Sequence, residues 1–111
     1  MGQIQFMQFY TRLVEHFLRM TVRNSSVIGE VPQYWHNFTT HWIESLSDED
    51  KNFIRFVFDK QYDDSRDGIG CYQSEDAYPV KRERLYRLER DFAIVGGLIG
   101  EGLRHDGGAE S

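Results

Sequence analysis

The sequence predicts an all-α protein, a small bundle of about four helices in a single domain over residues 1–111. Apolar residues recur at three- and four-residue spacing in several separate stretches, which is the periodicity of amphipathic helices. Glycine, proline and small polar residues separate these stretches, and no β-hairpin signal lies between them. The chain has 111 residues, 40% hydrophobic and 14% aromatic, which is enough for one modest core.

The first helix is predicted over residues 3–23 and stops near Asn24, where small polar residues follow. Its apolar positions include Phe6, Met7, Phe9, Tyr10, Leu13, Val14 and Phe17. This apolar arc is wide for so short a chain, and two interpretations of it stay open. Either all of it is core, or part of it also covers a second copy of the protein, which would make a homodimer through the N-terminal helix.

The second and third helices are marked by their first turns. The second follows Pro32, which suits a first helical turn, and its apolar residues are Trp35, Phe38, Trp42 and Leu46. The third is predicted from about Asp48 to Lys60, because Ser47 can cap free backbone N–H groups and three carboxylates follow it at the positive end of the helix dipole. Its expected buried residues are Phe53, Ile54, Val57 and Phe58.

The glycine-containing and acidic stretch of residues 61–79 is predicted to be mostly loop or short irregular helix. A fourth helix begins at Val80, with Leu85, Leu88, Phe92 and Val95 on one side. Residues 100–111 are polar and rich in glycine, and we expect a flexible tail there. The chain thus divides into N-terminal helices over 1–46 and a C-terminal unit over 47–99.

The fourth helix is basic although the chain is acidic. Residues 81–90 carry five positive and two negative charges, a net of +3, so the other residues carry −8 of the formal total of −5. At one hundred degrees per residue, the leucines and Phe92 share one arc, and the expected solvent-facing side holds Arg84, Arg87 and Arg90. Charge pattern alone favours a solvated face with ion pairs, because an acidic domain lacks the broad positive field of nucleic-acid binders.

The arrangement around this helix resembles a helix-turn-helix of the sigma-factor region-four type. LSDEDKNFIRFVFDKQYDD is similar to its first helix, and YPVKRERLYRLERDF to the recognition helix of small phage transcriptional regulators of the ArpU family. The resemblance covers about residues 40–98. It implies a DNA-binding regulator of phage or prophage type, with DNA contacts from Lys81, Arg82, Arg84, Tyr86 and Arg87. Arg90, a turn further on, would reach phosphate at most.

The segment between these two helices departs from the family. Where the family has a short apolar helix, this chain has DSRDGIGCYQSEDA, with Ile69 between two glycines. The regulator hypothesis requires a short helix there, set at a steep angle, and a next helix that is exposed along Lys81, Arg84 and Arg87. An open loop with paired arginines would instead favour the alternative, a non-enzymatic helical protein–protein interaction module, such as a phage accessory or assembly protein, that does not bind DNA.

No motif predicts catalysis, a cofactor or a metal site. Cys71 is the only cysteine, so an intrachain disulfide is excluded and a cytoplasmic location is the simpler expectation. Residues 63–68, DDSRDG, begin like a calcium loop, but the twelfth position is Ser74 where a bidentate glutamate is needed. No apolar run approaches the roughly 18 residues of a membrane span, so no membrane partner is expected.

Overall fold

Five helices make up the computed structural model, which describes residues 2–23 and 32–99 of the chain, with side chains from Tyr10 onward. In chain order they are α1 (Gly2–Val22), α2 (Gln33–Glu44), α3 (Asp48–Val57), α4 (Ser65–Cys71) and α5 (Tyr78–Val95). These residues contain no strand, so the predicted all-α class is confirmed. The expected tail at 100–111 and the apolar side chains of Phe6, Met7 and Phe9 lie outside the described part.

The start of α3 follows the sequence signal. The Ser47 hydroxyl accepts a hydrogen bond from the Asp50 backbone N–H at 3.2 Å, and Asp48, Glu49 and Asp50 occupy the first turn. These carboxylates complement the positive end of the helix dipole. The helix ends at Val57, three residues before the predicted Lys60.

The fifth helix arises because the acidic stretch contains α4. Asp64 caps it, its carboxylate accepting from the Asp67 backbone N–H at 3.0 Å, and Ile69 is buried in the core. The glycine before Ile69 permits a close crossing, since a Cβ built on Gly68 would lie 2.8 Å from Val57 Cα at the end of α3. Glycine therefore serves here as a packing residue rather than as a helix breaker.

One cluster of buried residues draws on all five helices. Its members are Tyr10, Val14, Phe17, Leu18, Trp42, Ile43, Phe53, Ile54, Val57, Phe58, Ile69, Leu85, Phe92 and Ala93. Phe92 is the aromatic centre, with ring centroids 5.1 Å from Trp42 and 5.0 Å from Phe38 in edge-on geometry. Trp42 also donates its indole N–H to Asp91 at 3.0 Å. The C-terminal half of α5 is thereby fixed against α2.

Arg23 joins the end of α1 to the segment that precedes α4. Its guanidinium donates to the carbonyl oxygens of Phe58 at 3.3 Å and Tyr62 at 2.7 Å. Both acceptors lie just beyond α3, where backbone carbonyls lack helical partners. This contact fixes the turn from which α4 begins.

Candidate interaction surface on helix α5

The N-terminal half of α5 starts at Tyr78 with Pro79 in its first turn, two residues earlier than the sequence predicts. Proline is favoured at this position because its missing N–H needs no helical partner there. The first ten residues of α5, 78–87, hold all five residues that the family resemblance assigns to DNA. The structure separates these five residues into an internal and an exposed set.

Lys81 and Arg84 form the internal set. Lys81 is 7% exposed, and its Nζ donates to the Tyr72 carbonyl oxygen, just after α4, at 2.8 Å. Arg84 donates from Nη2 and Nε to one carboxylate oxygen of Asp50, at 2.7 and 3.0 Å, and its guanidinium carbon lies 4.7 Å from the Phe53 ring centroid. Both cations therefore attach α5 to the α3–α4 region.

This placement corrects the expectation that Lys81 and Arg84 face solvent. The Arg84 side chain is only 19% exposed and its Asp50 partner 31%, so their ion pair is better shielded than a fully exposed one. The Lys81 stem fills part of the buried arc while its ammonium reaches a backbone acceptor, which is the usual way for a long cation to be buried. Neither charge is free for a ligand in this conformation.

Arg82, Tyr86 and Arg87 form the exposed set. The Arg82 guanidinium donates to the Tyr86 hydroxyl at 2.9 and 3.2 Å and lies 5.2 Å from the centre of its ring. The hydrogen bond that Arg82 donates to Tyr86 raises the pKa of Arg82 above its ordinary value, so this side chain stays a cation at every physiological pH. Arg87 is exposed, and it forms no hydrogen bond or ion pair with the residues that the structure describes.

Tyr78 extends this exposed set toward the start of the helix. Tyr78, Arg82 and Tyr86 are spaced four residues apart, so they follow one another along the helix surface. With Pro79 and Glu83 they line a shallow pocket of about 210 Å³, and Tyr78 and Tyr86 are 38% and 43% exposed. We call Tyr78, Arg82 and Tyr86 the tyrosine–arginine stripe.

The remaining predicted cation, Arg90, is half-buried. Burial raises the pKa of the Tyr10 hydroxyl on α1, and the nearby charge of Arg90 offsets part of that rise. The charge near the stripe is mixed, because the exposed Glu83 lies next to Arg82 in the chain and one turn before Arg87. The surface is thus aromatic and dipolar rather than uniformly basic.

The described residues offer no metal site of three or more acidic, histidine or cysteine side chains. In the calcium-like stretch, the Asp64 carboxylate is occupied as the α4 cap and pairs with Arg66 at 3.3 Å. Ser65 is buried and donates to Glu15 on α1. The Asp-rich turn therefore builds a helix start.

Comparisons with known proteins give no relative: no protein-family model matches the chain, and no curated protein or solved structure is significantly similar to it. None of the helices in the described ranges, 2–23 and 32–99, is long and apolar enough to cross a membrane.

Proposed function

We propose that the chain binds duplex DNA as a helix-turn-helix transcriptional regulator, through the exposed side of the N-terminal half of α5. The observation that carries the proposal is the order of elements: a capped α3, the short α4 around Ile69, a turn, and the long α5 with its cations. The sequence hypothesis requires that short helix, and its presence supports the proposal. The hypothesis also requires exposure along Lys81, Arg84 and Arg87, of which only Arg87 is exposed.

The proposed DNA contacts are Arg82, Tyr86 and Arg87. A free guanidinium can pair with phosphate oxygens or with the O6 and N7 atoms of guanine, and a tyrosine hydroxyl can donate to phosphate. Lys81 and Arg84 are positioning residues in this proposal, because their contacts with Tyr72 and Asp50 set how α5 lies on α3 and α4. The contact set is accordingly smaller than the family resemblance implies.

The experiment measures binding of the full chain to random-sequence duplex DNA over a range of salt concentrations, followed by selection from a randomised duplex pool. The test variant is Arg82→Ala with Arg87→Ala. The control is Arg12→Ala with Lys60→Ala, which removes two exposed cations elsewhere. We expect the test variant to lose about tenfold or more in affinity and to bind with a shallower salt dependence, because each phosphate contact contributes about 0.9 to the logarithmic slope.

Two results would contradict the DNA proposal. One is a wild-type chain that shows no affinity for duplex DNA at low salt, where non-specific binding is strongest. The other is an equal loss of affinity in both double variants, which would mean that binding depends only on the total charge of the protein. Circular dichroism of each variant verifies that the helices are retained.

The second candidate function is a non-enzymatic helical module that binds another protein. The observation that favours it is the stripe itself, since tyrosine and arginine are enriched at protein–protein interfaces and in their hot spots. Absence of DNA binding, together with a protein partner whose affinity falls on Tyr86→Ala, would support this function instead.

A further inference from the structure

A buried acid on α5 lacks the partners that a carboxylate needs. Glu89 is 1% exposed, and neither carboxylate oxygen receives a hydrogen bond from any described donor. A buried carboxylate without donors is strongly disfavoured, so such a group is normally neutral or paired. The proposed function uses no part of this residue, which faces α1 and not the exposed side of α5.

The neighbour of Glu89 is another acid, Glu15 of α1, which lies within hydrogen-bonding reach. Glu15 accepts from the Ser65 hydroxyl of α4 at 3.1 and 3.2 Å and lies 4.0 Å from the Arg19 guanidinium. Two ionised carboxylates can only repel each other, because both are acceptors. One proton between them turns the repulsion into a short, strong hydrogen bond.

The surroundings decide which acid holds the proton. Glu15 accepts from the Ser65 hydroxyl and lies near the Arg19 guanidinium, whereas neither Glu89 oxygen has a hydrogen-bond donor among the described residues. Burial, and after it the hydrogen bond and charge of Glu15, raise the pKa of Glu89 well above its ordinary value. The other titratable or charged groups of this junction are Tyr10 on α1 and Arg90 on α5, while α4 contributes the neutral Ser65.

We propose that Glu89 is protonated in the folded protein and donates to Glu15, so that a single proton latches α1 onto α5, with Ser65 of α4 completing the contact. We call Glu15, Ser65 and Glu89 the carboxyl latch. Loss of that proton leaves two negative charges in a buried junction, and α1 then separates from α5. The latch makes the docking of the N-terminal helix dependent on pH.

The direction of the pH dependence follows from linkage. A group whose pKa is higher in the folded state binds more protons when folded, so its stabilising contribution is complete below the unfolded pKa of about 4.3 and is lost as the pH rises through the folded pKa. Within that window the folding equilibrium constant falls by up to about tenfold per pH unit. Lowering the pH therefore tightens the latch, and raising the pH through the folded pKa of Glu89 opens it.

The first test is urea unfolding of the full chain at a series of pH values that starts near the unfolded pKa of about 4.3 and rises through the folded pKa of Glu89. Glu89→Gln removes the titration but keeps an amide donor for Glu15, and Glu83→Gln, an exposed acid on the same helix, is the control. We expect the folding constant of the wild type to decline relative to Glu89→Gln by up to about tenfold per pH unit, and Glu83→Gln to follow the wild type. Parallel curves for wild type and Glu89→Gln would overturn the proposal.

Two measurements on the wild type keep the proposal testable if Glu89→Gln does not fold. In carboxyl carbon NMR, Glu89 is expected to titrate well above the other glutamates; a midpoint among theirs would refute the latch. In hydrogen exchange corrected for intrinsic rates, α1 is expected to lose protection at lower pH than α3. Simultaneous loss in both helices would show a global effect on stability and no latch.

Discussion

Lys81 and Arg84 differ from Arg82 and Arg87 although all four lie within seven residues of one helix. The first pair is directed inward, onto the Tyr72 carbonyl and the Asp50 carboxylate. In the second pair, Arg82 rests on an exposed tyrosine and Arg87 is exposed. The difference shows that this basic helix has an inward and an outward side. The position of each cation around the helix axis decides whether that cation stabilises the fold or remains available to a ligand.

The largest expected effect comes from disturbing the packing of α4 on α3, the two helices near which Lys81 and Arg84 find their partners. Gly68→Ala places a Cβ against the Val57 backbone, where no flexible side chain can yield, so α4 must move away from α3. We expect a loss of about 3 kcal/mol in the free energy of unfolding, the upper end for overpacking. Urea denaturation provides the measurement.

Gly70→Ala is the matched control, since it lies in the same helix and an added Cβ there meets nothing within 4 Å. Alanine is the better helix former, so this variant should be unchanged or more stable by up to about 1 kcal/mol. Similar behaviour of the two variants would show that close packing of α4 on α3 is unimportant.

The second prediction concerns the ion pair between Arg84 of the internal set and Asp50. Arg84→Ala leaves the Asp50 carboxylate partly buried without its cation and removes the contact with Phe53, so we expect a loss of about 2 kcal/mol. Arg55→Ala is the control, because its bond to Glu44 joins side chains that are 52% and 57% exposed and should contribute less than about 0.5 kcal/mol. Equal losses in thermal or urea unfolding would contradict the distinction.

The sequence predicts the elements better than the roles of their charged residues. Helical spacing and the Ser47 cap predict α3, and the arc of Leu85 and Phe92 predicts the seam of α5. The short α4 is less clear from sequence, because Gly68 reads as a helix breaker until its contact with Val57 is known. Its signals are Asp64 as a cap and Ile69 as an anchor.

The burial of Lys81 and the burial of Glu89 have the same cause. Lys81 and Glu89 stand four residues before and after Leu85, so they lie on the same buried arc, yet residue type alone suggests that both are exposed. Position on the helix is therefore the signal that could identify both. What the sequence lacks is the partners, because Tyr72 and Glu15 come from other elements and only the tertiary fold brings them to these charges.

The smallest expected effect is the difference between substitutions at two adjacent cations, Lys81 and Arg82. Lys81→Met keeps an apolar stem in the buried arc but deprives the Tyr72 carbonyl of its donor, so we expect a loss of about 1 kcal/mol in unfolding free energy. Arg82→Met removes the same charge from an exposed position and should cost less than about 0.5 kcal/mol. In binding to duplex DNA the order should reverse, with Arg82→Met the weaker binder, because Arg82 is a proposed contact and Lys81 is not. If both variants lost equal affinity, their common loss of one positive charge would explain the binding, and the division of α5 into an inward and an outward set would have no bearing on the ligand.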